Sequence, residues 1–213
     1  MPDRPSLVIV GAGGLGREVA ALVEALPPPS PSGALAGFVD DDPSRHGDTV
    51  MGYSVLGDVH WLAQQADLRF VIAVGNGTAR RHIAETLRPS APRATSLVHP
   101  SVSLHRTAEV APGAIVCRGV ASTVQFEVGP HALLNLNCTI GHDSVLGAFV
   151  TLHPGVHVSG AVHLADGVTL GTGAVVLPGV QIGAHTTVGA GAVVTDDLPP
   201  HCTAVGTPAR PQS

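Results

Sequence analysis

Leu134-Asn-Leu-Asn-Cys138-Thr-Ile140-Gly-His142-Asp-Ser144-Val-Leu146-Gly-Ala-Phe-Val150-Thr-Leu152 carries an aliphatic residue at every sixth position: Leu134, Ile140, Leu146 and Leu152. The same column runs outward in both directions, from Val98 to Val194, and only Ser122 interrupts it. The fourth residue after each is small or β-branched with few exceptions, as in Ala108, Ala114, Ala132, Cys138, Ser144, Val150 and Val156. Neither a helical period of 3.6 nor a strand period of 2 produces this pattern, whereas a six-residue structural repeat does. Each hexad supplies one flat strand-like side and one turn, so three hexads close a triangular coil. Coils then stack at the inter-strand spacing of about 4.8 Å. The aliphatic residues are expected to point inward at the corners, with small residues where three sides converge. Gly129, Gly141, Gly147, Gly171, Gly183 and Gly189 follow their aliphatic residues, where a tight corner would favour glycine.

Composition bounds what such a prism can serve. The chain has 213 residues, 13% charged and 3% aromatic, with 26 glycines and 18 prolines. Abundant Val, Leu and Ala argue against disorder, so the Gly and Pro belong to turns. A formal net charge of −5 without a basic run disfavours nucleic acid. The first residues lead into a short apolar strand with no signal-like apolar region and no membrane-length run, so a soluble cytoplasmic protein without a membrane role is expected. Cys117, Cys138 and Cys202 stand far apart, and Cys138 falls in the small inward column, which favours a buried thiol over a disulfide.

Upstream of the repeat the pattern changes. Leu7–Val10 reads as a buried strand and Gly11-Ala-Gly13-Gly14-Leu-Gly16 as a GxGxxG turn. Arg17 to Leu26 then reads as a helix ended by the prolines from Pro27 to Pro31. A second strand, Leu35 to Val39, closes on Asp40-Asp41-Asp42. A helix is expected from Val59 to Ala66, a strand from Phe70 to Val74, and a helix capped by Thr78 and running to Leu87. Alternating strands and helices imply a small parallel α/β domain. Pro89 to Pro92 mark the division, giving a Rossmann-like domain over 1–92 and the repeat domain over 93–213, whose short tail, Val205 to Arg210, folds back over the last coil. The glycine turn with Asp40 at the next strand end suits NAD, a packing role alone, or a nucleotide-linked ligand. The domain is half the size of a dinucleotide-binding one, which favours a nucleotide-linked ligand in a half-site.

Of 12 histidines, eight lie in the repeat: His99, His105, His131, His142, His153, His157, His163 and His185. No two stand five apart, the spacing with which hexapeptide-repeat carbonic anhydrases hold zinc, so no metal is expected. Most read as turn or surface residues. His142 differs. It sits in a corner with Asp143 beside it, and a neighbouring carboxylate orients an imidazole and favours its protonated form. Gly160 lies 18 residues on, one coil away. It stacks over His142 and leaves an uncovered backbone N–H. A base beside a backbone donor is what acyl transfer requires.

The hexads resemble the left-handed β-helix of hexapeptide acyltransferases, and the whole chain resembles the NeuD/PglD group of bacterial sugar acetyltransferases. The motifs that carry the likeness are Val8 to Gly16, Phe38 to Asp41, Ile72 to Asn76, Thr139-Ile-Gly-His-Asp143, Pro154-Gly155 with Ser159-Gly160, and Val205 to Arg210. The resemblance implies a left-handed parallel β-helix behind the α/β domain, a homotrimer, and sites between subunits. It makes His142 the general base, Asp143 its supporting acid, Asn135 an active-site amide, and Gly160 the donor to the thioester oxygen. Gly11, Gly13, Gly14, Asp40, Asp41, Gly75 and Asn76 match the nucleotide-sugar site. Thr151, His153, Gly160, Thr172 and Ala190 match the acetyl-CoA groove. Many members have histidine where this chain has Leu15 and Thr151; His153, two positions on, keeps the same strand face as Thr151.

The function expected is therefore acetyl-CoA-dependent N-acetylation of a nucleotide-linked amino sugar in bacterial surface glycan biosynthesis. The alternatives are O-acetylation of a sialic-acid-type hydroxyl and a non-catalytic β-helix scaffold that binds nucleotide.

Overall fold

The computed structural model describes residues 6–28, 33–88 and 93–212. The first domain opens with β1 (Leu7–Val10), α1 (Gly14–Ala25) and β2 (Leu35–Val39). A hairpin of β3 (Thr49–Val50) and β4 (Tyr53–Ser54) follows, then α2 (Val59–Ala63), β5 (Arg69–Ile72), α3 (Gly77–Leu87) and β6 (Arg93–Ala94). The four parallel strands are ordered β2-β1-β5-β6. All four β1 residues are buried, as a strand covered on both faces requires. α1 lays Val19, Ala20, Leu22 and Val23 on the sheet, consistent with its apolar spacing.

Several boundaries differ from those expected. β5 starts at Arg69 and ends at Ile72, and α2 stops at Ala63 instead of Ala66. α3 is capped by Asn76, whose side chain accepts from Ala79 N at 2.9 Å, and not by Thr78. An amide two residues upstream can satisfy an open first-turn N–H equally well. The prolines from Pro29 to Pro31 and from Pro89 to Pro92 lie outside the described residues. The sheet runs on past the division expected at residue 92, because Arg93–Ala94 pairs with Arg69–Phe70.

From Leu97 the chain winds into a triangular left-handed prism with three parallel faces. The first face carries Leu97–Val98, Ile115–Val116, Leu133–Leu134, Thr151–Leu152, Thr169–Leu170 and Thr187–Val188. The second carries Ala121–Ser122, Thr139–Ile140, His157–Val158, Val175–Val176 and Val193–Val194. The third runs from Glu109–Val110 through Glu127–Val128, Val145–Leu146 and His163–Leu164 to Gln181–Ile182. Each residue pairs with the one 18 further on, as Leu133 with Thr151 and Thr151 with Thr169. The last step breaks this count: Thr187 pairs with Thr203, and the tail turns back as Ala209–Pro211 against Thr203–Gly206. Both inward columns form one core that includes Leu134, Cys138, Ile140, Leu146, Val150, Leu152 and Val156. Cys138 is a free, fully buried thiol whose Sγ donates to His153 O at 3.2 Å, and burial pushes its pKa up to about 11.

Two details of the expected coil are corrected. The aliphatic column lies on the flat strands and not at the corners. Glycines that follow it, such as Gly141, do not take positive φ; a Cβ on Gly141 would strike the backbone of Ser159 and Gly160 in the next coil. The left-handed backbone falls two residues later, at Gly113, Gly155, Gly173 and, without glycine, at Asn137 and Asp143. Close stacking between coils, rather than the bend, is what excludes a side chain at Gly141.

The first domain sits on the first face. Leu97, Ile115, Cys117 and Leu133 join Leu7, Ile9, Val19 and Val71 in a single apolar cluster. Burial of side chains this size contributes about 1.5–3 kcal/mol each, so the two parts are packed as one body. At the adjoining corner His131 stacks between Phe70 and Phe149, with centroid distances of 6.2 and 5.4 Å.

Candidate active site

His142 and Asp143 occupy the corner between the second and third faces. Asp143 adopts φ 59°, and this left-handed turn brings its carboxylate back onto the preceding ring. Asp143 Oδ2 lies 2.8 Å from His142 Nδ1. A carboxylate only accepts, so Nδ1 carries the proton and Nε2 keeps its lone pair. Both side chains are open, at 61% and 55% exposure. The carbonyl of His142 is tied to the coil above through Ala161 N at 2.7 Å.

Gly160 completes this corner. A Cβ there would stand 2.6 Å from His142 Nε2 and 2.7 Å from Cε1, so only glycine leaves room for the ring. Its N–H has no acceptor among the described residues. A free proton acceptor and a free amide donor therefore share one exposed edge.

Other expected residues stand elsewhere. Asn135 and His153 lie one above the other at the corner between the first and second faces, with Asn135 N donating to Leu152 O at 3.0 Å. Asn135 is 9% exposed and its Oδ1 accepts from Leu136 N at 2.7 Å. Thr172 and Ala190 are exposed on this same corner in successive coils, joined by Gly191 N to Thr172 O at 2.8 Å. Thr151 is not on the surface at all. It is 0% exposed, and its hydroxyl accepts from Arg80 Nη2 at 2.8 Å. No ligand in solvent reaches it in this arrangement.

The glycine turn lies at the C-terminal end of the sheet, where α/β folds place ligands. Gly11, at φ +100°, allows close approach to Ala73 O, while Gly13 and Gly14 face open space. α1 has no side-chain cap and no acid in its first turn, so its positive end is left for an anion. A cleft of about 430 Å³ opens there, lined by Ala12, Gly13, Arg17, Arg45, Thr49, Val50 and Met51.

Asp40 braces this turn. Its Oδ2 accepts from Ala12 N at 2.9 Å and pairs with Arg45 Nη1 at 3.3 Å, while Oδ1 accepts from Asp42 N at 3.1 Å. Asp41 Oδ1 accepts from Val59 N at 3.0 Å. Both carboxylates thus have backbone work in the structure, which their position after a strand did not reveal. Arg17 and Arg45 were not singled out from the sequence. Their signal was modest: one cation opening the helix after GxGxxG, another following the acidic triplet.

Gly75 and Asn76 border a second cleft, of about 340 Å³, between the first domain and the prism. Gly77, Thr78, His153, Gly167, Thr169, His185 and Thr187 complete its walls. It places two of the expected nucleotide-sugar residues beside His153 of the expected acetyl-CoA set. Among the described residues there is no group of His, Cys, Asp and Glu able to hold a metal, and no helix long and apolar enough to cross a membrane.

Comparison with known proteins extends this geometry. The PglD N-terminal domain matches residues 6–87, and the bacterial transferase hexapeptide family (six repeats) matches residues 161–196. GDP-perosamine N-acetyltransferase of Escherichia coli O157:H7 is 31% identical over 160 residues, covering 74% of this chain and 72% of that protein. The chain belongs to the NeuD/PglD-like sugar acetyltransferases of the hexapeptide-repeat superfamily. Two solved members of this family are close along their whole length. A mutant of perosamine N-acetyltransferase from Caulobacter crescentus, in complex with CoA and GDP-perosamine, is 33% identical with a TM-score of 0.89, covering 98% of this chain and 97% of that one. The acetyltransferase domain of PglB from Neisseria gonorrhoeae, in complex with acetyl coenzyme A, is 31% identical with a TM-score of 0.88, covering 98% and 99%.

Proposed function

We propose that this protein transfers the acetyl group of acetyl-CoA to the amino group of a nucleotide-linked amino sugar, with GDP-perosamine the first acceptor to try. It is an acetyl-CoA-dependent acyltransferase, as are its 31–33% identical relatives. The observation that carries the chemistry is the pairing at one corner of His142, its Nδ1 held by Asp143 at 2.8 Å, with a glycine at 160 that keeps the Nε2 edge clear.

In the proposed step the neutral amine attacks the thioester carbonyl, forming the C–N bond. His142 Nε2 takes the amine proton, and the Gly160 N–H donates to the oxyanion of the tetrahedral intermediate. The C–S bond then breaks, and the proton leaves with the CoA thiolate as the free thiol. Asp143 keeps the ring in the tautomer this requires. Thr172 and Ala190 offer a path along the prism for an extended pantetheine, with His153 and Asn135 on the same edge.

The nucleotide would lie at the glycine turn, with its phosphates against Gly13, Gly14 and the open end of α1, beside Arg17 and Arg45. Asp40 supports that crevice from behind, while Asn76 borders the second cleft, between the first domain and the prism. The first domain covers the first face and His142 stands at the opposite corner, which supports a site completed by a second copy. A homotrimer with sites between subunits satisfies this, in a cytoplasmic pathway to surface glycans. Incubation with acetyl-CoA and a panel of nucleotide amino sugars, followed by mass spectrometry, tests the reading. A product gaining one acetyl group that resists hydroxylamine is an amide and supports it. An ester, which hydroxylamine removes, would replace the amine by a hydroxyl acceptor, and no product from any donor–acceptor pair would sink the proposal.

A further inference from the structure

Arg80, on α3, heads the large side chains sealed from solvent, at 1% exposure. Among the described residues no carboxylate meets its guanidinium. Nε donates to His131 O at 3.0 Å; Nη1 donates to Val74 O and Gly75 O, each at 2.9 Å. Nη2 donates to Phe149 O at 3.0 Å, Val150 O at 3.1 Å and Thr151 Oγ1 at 2.8 Å. Burial pulls its pKa down to about 10, so the group still carries its charge at neutral pH. An unpaired buried charge is costly, and an apolar side chain of the same volume would fill the space without that cost. What the guanidinium adds is geometry: a rigid planar fork that ties two carbonyls in the loop after β5 to oxygens of the prism.

The place it grips matters. Phe149–Thr151 follow His142–Asp143 by less than half of the 18-residue coil, so clamp and base lie on one rung. The first turn of α3 rests directly on that rung: a Cβ on Gly77 would stand 2.8 Å from Phe149 O. Rotation about a cyclic symmetry axis leaves height along the axis unchanged. With the axis of the proposed trimer parallel to the prism, a loop fixed at the level of its own His142 is level with the His142 of a neighbouring copy.

We infer that Arg80 is a positioning residue for acetyl transfer, pinning the Val74–Gly75 loop at the height of the catalytic rung so that a nucleotide-linked amine held by one chain meets the base of the next. This rests on the acceptor and assembly proposed above. Arg80 touches no reacting atom; it acts through the loop, which packs against Gly11 of the glycine turn at Val74 and borders the cleft between the first domain and the prism at Gly75.

The test compares two acceptors in Arg80→Leu and Arg80→Lys: GDP-perosamine, and the same amino sugar without its nucleotide, which the first domain cannot hold. For Arg80→Leu, kcat/KM with GDP-perosamine should fall roughly 100-fold, the scale of a small misplacement of a reacting group. With the nucleotide-free sugar it should stay within about twofold, and the KM for acetyl-CoA should not move. Arg80→Lys, which keeps the charge and loses the fork, should fall about tenfold on GDP-perosamine alone. Equal losses on both acceptors, or no loss on either, overturn the inference. If the leucine variant does not fold, the lysine variant decides by the same comparison. Amide hydrogen exchange separates this from failure of the functional reading, since it needs no substrate. In Arg80→Lys, exchange at Gly75–Thr78 should rise by about tenfold or more while that at His142–Ser144 is unchanged. Unchanged exchange at Gly75–Thr78 would overturn the pin even in an active enzyme; a wild type inactive on every acceptor, with the exchange result as expected, would overturn only the reaction.

Discussion

His142 and His131 lie on the same prism, eleven residues apart, and are used in opposite ways. His142 stands open at its corner with one nitrogen held by Asp143 and the other free. His131 is sandwiched between Phe70 and Phe149 beside Arg80, and burial with that nearby charge pulls its pKa down to about 4. One ring keeps a nitrogen open to solvent; the other is kept neutral by burial. The difference reflects what each corner has to satisfy. At the seam the donors of Arg80 are taken up by oxygens of both parts, and His131 Nδ1 is sealed in without a partner among the described residues, whereas at the His142 corner the free nitrogen and the Gly160 N–H stay open to solvent.

Replacing the open ring should have the largest effect. His142→Ala is expected to lower kcat by roughly two to four decades, with acetyl-CoA affinity by calorimetry unchanged; near-normal turnover would remove the base from its proposed role. Gly160→Ala attacks the same corner by crowding. Its Cβ would stand 2.6 Å from His142 Nε2, so the ring must move, and a loss of about 100-fold in kcat with little change in melting temperature is expected.

The sealed ring should reveal itself in stability rather than rate. Its folded pKa of about 4 lies below the ordinary 6.5, so the unfolded chain binds the extra proton first. Its contribution is full above pH 6.5, declines as pH falls toward 4, and is constant below that, a swing of about 2 kcal/mol allowing for partial exposure. Denaturant titrations from pH 7 to 4 should show this swing, and His131→Phe should flatten it. The smallest effect is expected from Thr151→Val, which deprives Arg80 of one acceptor and should cost about 1 kcal/mol. Because Thr151 is 0% exposed, the KM for acetyl-CoA should not change; a clear rise would place this residue in the cofactor groove after all.

The prism was legible because its instructions are local and repeated. A column from Val98 to Val194 specifies the coil many times over, and its count of 18 put Gly160 over His142 before any contact was known. The seam was not legible for the converse reason. Arg80 is one of two adjacent arginines on a short helix and reads as a surface charge; only docking against Phe149–Thr151 makes it the centre of the interface. Thr151 was matched to the acetyl-CoA groove because many members of the family carry a histidine at that position, and the same docking sealed it. Asp40 illustrates a third case. Its place at a strand end was clear, but a side chain's choice between a ligand and the backbone of Ala12 depends on loop geometry that no spacing encodes.

Because residue pairs with residue 18 further on through the prism, the molecule is graduated in steps of about 4.8 Å. A whole extra coil is therefore the one insertion the fold can accept without turning any side chain to another face. Placed above the rung that bears both His142 and the Arg80 contacts, such a coil would lengthen the proposed pantetheine path and leave the His142 corner untouched. Shorter insertions would rotate everything beyond them by a side of the triangle or break the column outright. On the proposed reading, the length of the prism and the choice of acceptor can thus change on separate parts of one chain.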